Sequence, residues 1–242
     1  PDLYLVRENG ANRLFHNNGD SSFTDVATTA GVAHTGDGAA AAWGDYDNDG
    51  DLDLFLGNKD SVQVLYSNNG NGTFTRMNSS GLAVRGSARS ALWLDFDMDG
   101  DLDLMVTFAD SANKLFQNHG DSTFTNVAPL LKLDSLGYWT GATWADPTNQ
   151  GAPDLYLTRR NGMNRYYSGL VQGNWLKVRM HGVVSNRYGL VARVRVRTGA
   201  RVQTRWVDGG SGSQSEPVAL FGLGTAATVD SLSVFWPCGL RR

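Results

Sequence analysis

Two nine-residue segments stand out for the chemistry they can do: Asp45-Tyr46-Asp47-Asn48-Asp49-Gly50-Asp51-Leu52-Asp53 and Asp95-Phe96-Asp97-Met98-Asp99-Gly100-Asp101-Leu102-Asp103. Carboxylates at positions 1, 3 and 5 of such a loop converge on one point, and glycine at position 6 permits the sharp turn that brings them together. A backbone carbonyl at position 7 (Asp51, Asp101) and a carboxylate at position 9 (Asp53, Asp103) complete an oxygen cage of the size that Ca²⁺ prefers. Without a cation, four or five acidic side chains this close would repel one another strongly. A solvated acidic turn explains a single copy poorly and two copies at fixed spacing worse.

The elements that hold these loops are short. An EF-hand places a bidentate Glu at position 12 and a helix on either side, but Leu56 and Val106 occupy that position here. The flanks Ala41-Ala42-Trp43 and Leu54-Phe55-Leu56, and Ala91-Leu92-Trp93-Leu94 and Leu104-Met105-Val106, are brief apolar runs bounded by turn residues. They read as strands. The loops therefore join consecutive strands of a sheet, and the EF-hand reading fails.

An Asp-Leu pair recurs at positions 2, 53, 103 and 154, a period of about fifty residues. A second signature follows it: Asn12-Arg13-Leu14-Phe15 with Ser22-Phe23-Thr24, Val64-Leu65-Tyr66 with Thr73-Phe74-Thr75, and Asn113-Lys114-Leu115-Phe116 with Thr123-Phe124-Thr125. Asn/Gly/Asp clusters of hairpin type separate the members of each pair. A unit of this length holding four short strands predicts a propeller blade. Residues 1–168 resemble the FG-GAP/VCBS repeats of integrin-type propellers, on the two aspartate loops and the strands around them. The resemblance implies an all-β fold, a partial β-propeller of about 3.5 four-stranded blades, with calcium in the loops. The expected bounds are a partial blade at 1–33, blades at 34–86 and 87–136, and a degenerate blade at 137–168. A third loop, Asp146-Pro147-Thr148-Asn149-Gln150-Gly151-Ala152-Pro153-Asp154, keeps Asp146 and Asp154 but has Thr148 and Gln150 where carboxylates are needed. It is the weaker, degenerate calcium site.

From Gly173 onward the pattern changes. Asn174 to Arg179, Leu190 to Arg197 and Val202 to Val207 alternate apolar with polar, as strands with one wet face do. The order Asn174-Trp175-Leu176, Asn186-Arg187, Gly209-Gly210-Ser211-Gly212, Phe221-Gly222-Leu223-Gly224 and Trp236-Pro237 resembles the ASPIC/UnbV domain. A small β-sandwich-like domain is expected over 173–242.

Charge divides along the same line. Residues 1–158 carry 8 Lys/Arg against 21 Asp/Glu, a balance of −13, while residues 159–242 carry 13 against 3, a balance of +10. Arg193, Arg195 and Arg197 alternate along one strand and project from one face, joined by Arg201 and Arg205 from the next. This face is either solvated or internally paired against the acidic repeats, or it binds an anion such as a sulfated glycan or an acidic neighbouring subunit. No aromatic-interleaved basic groove for nucleic acid is present, nor any run of about 18 apolar residues to span a membrane. The single cysteine, Cys238, excludes an internal disulfide and reads as a buried free thiol.

No G-x-S-x-G elbow, HExxH or P-loop occurs, and the four histidines are scattered. Carboxylates committed to calcium are poor general acids, so no enzyme is expected. Calcium points to the extracellular side, where loops with dissociation constants of about 10⁻⁴–10⁻³ M fill, and the sequons at Asn71 and Asn78 fit a glycosylated surface. The expected role is adhesion or interaction with a protein or glycan partner. The alternative is a self-assembling subunit of a filament or surface layer. Three and a half blades do not close a ring, so the chain is expected to be a piece of a longer propeller or to be completed by neighbouring copies.

Overall fold

The computed structural model describes residues 2–170, 172–183, 186–207, 216–239 and 241. The Gly209–Gly212 motif lies outside the described residues. Four antiparallel sheets follow one another. The first holds β1 (Leu3–Leu5), β2 (Arg13–Asn17) and β3 (Phe23–Asp25), and the single-turn helix α1 (Ala27–Ala30) follows it. The second holds β4 (Gly38–Gly44), β5 (Asp53–Asn58), β7 (Val64–Asn68) and β8 (Phe74–Met77), with β6 (Ser61–Val62) pairing outside it to β9 (Arg85–Gly86). The third holds β10 (Ala88–Leu94), β11 (Asp103–Phe108), β12 (Lys114–Asn118) and β13 (Phe124–Asn126). The fourth holds β14 (Trp139–Ala145), β15 (Asp154–Arg159) and β16 (Arg165–Tyr167). The fold is the expected all-β, propeller-like one, with four strands in the second and third blades and three in the first and fourth.

The second and third blades bury both faces against their neighbours, so their inner strands β5 and β11 are buried without interruption rather than alternating. Leu54 and Leu56 of β5 enter a core shared with Tyr4 and Leu14 of the first blade, while Phe55 enters the core shared with Leu104 and Val106 of the third. Met105 turns the other way, towards Leu155 and Leu157 of the fourth. The register repeats as well: Trp43 pairs Leu54, Trp93 pairs Leu104 and Trp144 pairs Leu155. Trp93 stacks on Tyr46 with ring centroids 6.2 Å apart and donates from Nε1 to the Ala42 carbonyl at 3.2 Å, stitching the third blade to the second. At the ends of the arc the same positions lack cover. Leu3 and Leu5, the counterparts of Leu54 and Leu56, are 56% and 45% exposed, and Tyr156, the counterpart of Phe55, is 39% exposed.

Beyond the blades, β17 (Asn174–Arg179) pairs β20 (Val218–Gly224), and β18 (Arg193–Thr198) lies between β19 (Arg201–Trp206) and β21 (Ser231–Phe235). Val194, Val196, Ala219, Phe221 and Val234 fill the space between these two sheets. β18 starts three residues later than the alternation predicts. Asn186 holds Leu190 by both its N–H and its carbonyl, at 2.6 and 2.8 Å, and Val191 takes a left-handed φ of 69°, which no strand accommodates. Cys238 is exposed, not buried; it sits in the turn that follows β21, beyond the core.

Phe116, wholly buried between the second and third blades, is a sharp test of the shared cores. Phe116→Ala will destabilise the protein by about 3–5 kcal/mol in urea unfolding, whereas Phe23→Ala, at a side chain 53% exposed, will cost less than about 1 kcal/mol.

Candidate metal centre

The three loops share one backbone. Position 4 is left-handed in each (Asn48 φ 58°, Met98 60°, Asn149 53°), and so is the position 6 glycine (Gly50 102°, Gly100 97°, Gly151 87°). This double reversal turns the position 6 N–H onto the first aspartate: Gly50 N donates to Asp45 Oδ2 at 3.2 Å, Gly100 N to Asp95 Oδ2 at 3.1 Å and Gly151 N to Asp146 Oδ2 at 3.0 Å. Only glycine takes such φ values without strain.

In the first two loops each later carboxylate spends one oxygen on the loop itself. Asp47 Oδ1 accepts from Asp49 N at 3.3 Å and Asp49 Oδ1 from Asp51 N at 2.9 Å. Asp97 and Asp99 repeat the pattern at 3.3 and 2.8 Å. The outcome is two three-carboxylate clusters, Asp45/Asp47/Asp49 and Asp95/Asp97/Asp99, with one oxygen from each residue within 4.8 Å of the others. Asp45 and Asp95 are buried, and their Oδ1 atoms have no hydrogen-bond partner. A buried carboxylate oxygen without a donor is costly, and a hard divalent cation is what such a set of oxygens fits.

The remaining predicted ligands are placed differently. Asp53 accepts from Tyr46 N at 3.1 Å and Asn68 N at 2.8 Å; Asp103 accepts from Phe96 N at 2.9 Å and Asn118 N at 2.8 Å. These closing aspartates staple the loop to the third strand of the same blade. The Asp51 and Asp101 side chains stand outside the clusters. Asp101 accepts from Asn48 Nδ2 of the neighbouring loop at 2.8 Å and pairs with Arg201 at 2.5 Å. Burial pushes the Asp45 and Asp95 carboxyls up to about 7 and Asp53 to about 8, and Asp103 well above the carboxylate range. Neighbouring aspartates push the same way.

The third loop solves the charge problem without this cluster. Thr148 at position 3 offers no carboxylate, and the position 5 amide, Gln150 N, turns onto Asp146 Oδ1 at 2.9 Å. The oxygen left orphaned in the first two loops is thus satisfied. Lys177 of β17 then brings its ammonium to Asp146 (3.4 Å to Oδ2, 3.0 Å to the carbonyl), to Asn149 Oδ1 at 3.1 Å and to Glu216 at 2.9 Å. Asp146 N donates to Glu216 at 3.0 Å, and Arg179 pairs with Glu216 at 2.6 Å. Asp154 is held by Tyr166 Oη and by Gly169 N.

The second loop meets the C-terminal sheets too. Gly222 N donates to Asp95 Oδ2 at 3.0 Å, Arg205 Nη2 donates to the Gly100 carbonyl at 3.0 Å, and Arg201 reaches the Asp99 carbonyl. A Cβ at Gly222 would collide with the Met98 carbonyl, so this approach requires glycine. Arg201 and Arg205 therefore do not share a face with Arg193, Arg195 and Arg197. The register pairs Arg193 with Trp206 and Arg195 with Thr204, which places Arg205 and Arg201 on the opposite side of the sheet. Lys177 and Glu216 are contacts that sequence reasoning missed, the one available signal being the excess of positive charge after residue 158; Arg201 and Arg205 make the internal pairing with the acidic repeats that was one of the readings of the basic strands. Asn71 and Asn78 are exposed.

A family model described as an FG-GAP-like repeat matches residues 1–56, 45–106 and 95–157, and one described as ASPIC and UnbV matches 182–242. Cartilage acidic protein 1 of Homo sapiens is 33% identical over 98% of this chain and 39% of its own length. The Mus musculus and Xenopus tropicalis proteins of that name are 33% and 30% identical, each over 98% of this chain and 40% of their own length. The chain thus spans about two fifths of these relatives.

Two outcomes follow from this geometry. Lys177→Met strips the cation from buried Asp146 and leaves Glu216 with Arg179 alone, a loss of about 3–5 kcal/mol, and limited proteolysis will cut near residue 172 faster than in the native chain. In chelator, the raised carboxyls hold protons in the folded state that the unfolded chain releases above about 4. Their stabilising contribution is full below that pH and is lost as pH rises through 7–8. The metal-free melting temperature will therefore be several degrees higher at pH 5.5 than at pH 8.

Proposed function

The chain belongs to the family of FG-GAP-like repeats and carries an ASPIC and UnbV domain, and from this premise we propose that it is a non-catalytic interaction module of the extracellular space, braced by calcium. The observation that carries the reading is the pair of buried, unpartnered oxygens, Asp45 Oδ1 and Asp95 Oδ1, each facing two further carboxylates. A calcium ion in the first loop is held by Asp45, Asp47 and Asp49, and one in the second by Asp95, Asp97 and Asp99, with the Asp51 and Asp101 carbonyls and the Asp53 and Asp103 carboxylates available to each. The third loop takes none, since Gln150 N and Lys177 already serve Asp146.

Bound there, calcium cancels repulsion at the point where the first strand of the second blade, and of the third, turns into the next. Each filled site adds RT ln(1 + [Ca²⁺]/Kd), about 2.7 kcal/mol at one hundred times Kd. Loops of modest affinity fill at the roughly millimolar calcium of extracellular fluid, and the relatives are named for cartilage and for acidity; both support a secreted location, as do exposed Asn71 and Asn78 as glycan acceptors. In this reading residues 1–168 form the propeller unit, residues 173–242 form a second unit docked on its loops, and the partner is a protein or a glycan. No helix among the described residues is long and apolar enough to cross a membrane.

Calorimetric titration of metal-free protein will count two calcium ions per chain. Asp49→Ala will lower the count to one and leave the second site's affinity within about twofold, because repeat architectures confine damage. A count of three, or no binding at millimolar calcium, overturns the reading.

Tyr156 of the fourth blade, 39% exposed, favours a second reading, in which a neighbouring copy covers that face. Light scattering with calcium and with EGTA decides between them: a calcium-dependent polymer supports assembly, and a monomer under both conditions sinks it.

A further inference from the structure

The outer face of the β19–β18–β21 sheet carries arginines that the docking described above does not use. Strand pairing sets them in rows. Trp206, Arg193, Phe235 and Arg241 lie directly across from one another, followed by Thr204, Arg195 and Ser233, then by Val202, Arg197 and Ser231. Arg193 Cζ stands 4.5 Å from the Phe235 ring centroid and 5.9 Å from that of Trp206, and Arg241 Cζ stands 4.9 Å from Phe235. Two guanidinium groups thus flank one ring. Among the described residues, none of these four arginines has a carboxylate within ion-pair distance. Arg197 donates from Nε to the Gly199 carbonyl at 3.0 Å, and the nearby Asp230 is turned onto Gly199 N at 2.6 Å. Arg195 and Arg197 are exposed.

We propose that this face binds a linear sulfated polysaccharide running along β18. Alternate residues of a strand stand about 6.6–6.8 Å apart, so Arg193, Arg195 and Arg197 form a straight column about 13 Å long, with Arg241 widening it at the aromatic end. A guanidinium fork matches the oxygens of a sulfate or carboxylate. Ser231 and Ser233 on one flank and Thr204 on the other add neutral hydroxyl donors, and the Trp206 and Phe235 rings hold Arg193 in place at low entropic cost. The face is an exposed sheet surface with charge at even intervals along one strand, which suits an extended chain bearing anions at short repeats. The acidic loops of a second copy fit it less well, because each of these carboxylates already commits one oxygen to its own loop backbone and they are clustered on one another rather than spaced along a line. The proposal deepens the interaction role given above and rests on it, but it does not rest on calcium.

The test is binding of a heparin octasaccharide to the full chain at about 150 mM salt with calcium present. The native protein will bind, more weakly as salt rises, and Arg195→Glu/Arg197→Glu will weaken binding tenfold or more while leaving the calcium-dependent melting temperature unchanged. Arg13→Glu, at an exposed arginine of the first blade, will bind like the native chain. Absence of native binding, full binding by the double variant, or an equal loss in Arg13→Glu overturns the proposal. A self-association that the double variant abolishes, with no heparin bound, overturns it in favour of a second copy. Binding that survives EGTA supports it even if the calcium reading fails, since that failure shows in the melt and not in the heparin isotherm.

Discussion

Repulsion between desolvated carboxylates is the constraint around which this molecule is arranged. Two like charges no more than 4.8 Å apart in surroundings of effective dielectric near 20 repel by at least roughly 3 kcal/mol, and each of the first two loops gathers three. Burial adds its own penalty, visible in the raised proton affinity of Asp45 and Asp95. The left-handed residue and the glycine that follow are the means of turning backbone N–H groups towards these oxygens. They satisfy all but one oxygen of each leading aspartate, and that exception is where a cation has most to offer.

The three loops answer the same problem in three ways. The first remains partly open, with Asp47 and Asp49 exposed. The second is covered by the C-terminal sheets, whose Gly222 amide, Arg205 and Arg201 bear on Asp95, the Gly100 carbonyl and Asp101. The third has given up the cluster and takes Lys177 and Glu216 from those same sheets. Docking of the C-terminal unit is thus an extension of loop electrostatics. The strongly acidic and strongly basic portions of the chain meet at the loops. What stays unmatched is the far side of the β18 sheet, where the basic excess is presented to solvent.

The all-β class and the repeat were legible because both rest on local signals. Period-fifty Asp-Leu pairs and hairpin clusters such as Asn68–Gly72 need no tertiary knowledge. The loops were legible as oxygen sites for the same reason. The division of labour within them was not: Asp53 and Asp103 are stapled to Asn68 N and Asn118 N, fifteen residues onward, by the pairing of β5 with β7 and of β11 with β12. Nor could alternation tell which wet face meets water. Lys177 follows Trp175 and precedes Arg179 on a face that reads as solvated, yet it lies buried against the third loop. Arg201 and Arg205 fall on the other side because the two-residue turn at Gly199-Ala200 pairs Thr198 with Arg201, and alternation along each strand alone does not fix that register. A lone cysteine carries no local signal of its exposure; the turn after β21 leaves Cys238 outside the core.

The central claim is that calcium braces two loops and that lysine braces the third. Hydrogen–deuterium exchange of the native chain, with calcium and with EGTA, tests it residue by residue. The account predicts that chelation accelerates exchange in 45–53 and 95–103 and in the strands they join, while 146–154 and β17 change little. Faster exchange in all three loops alike, or in none, would contradict it.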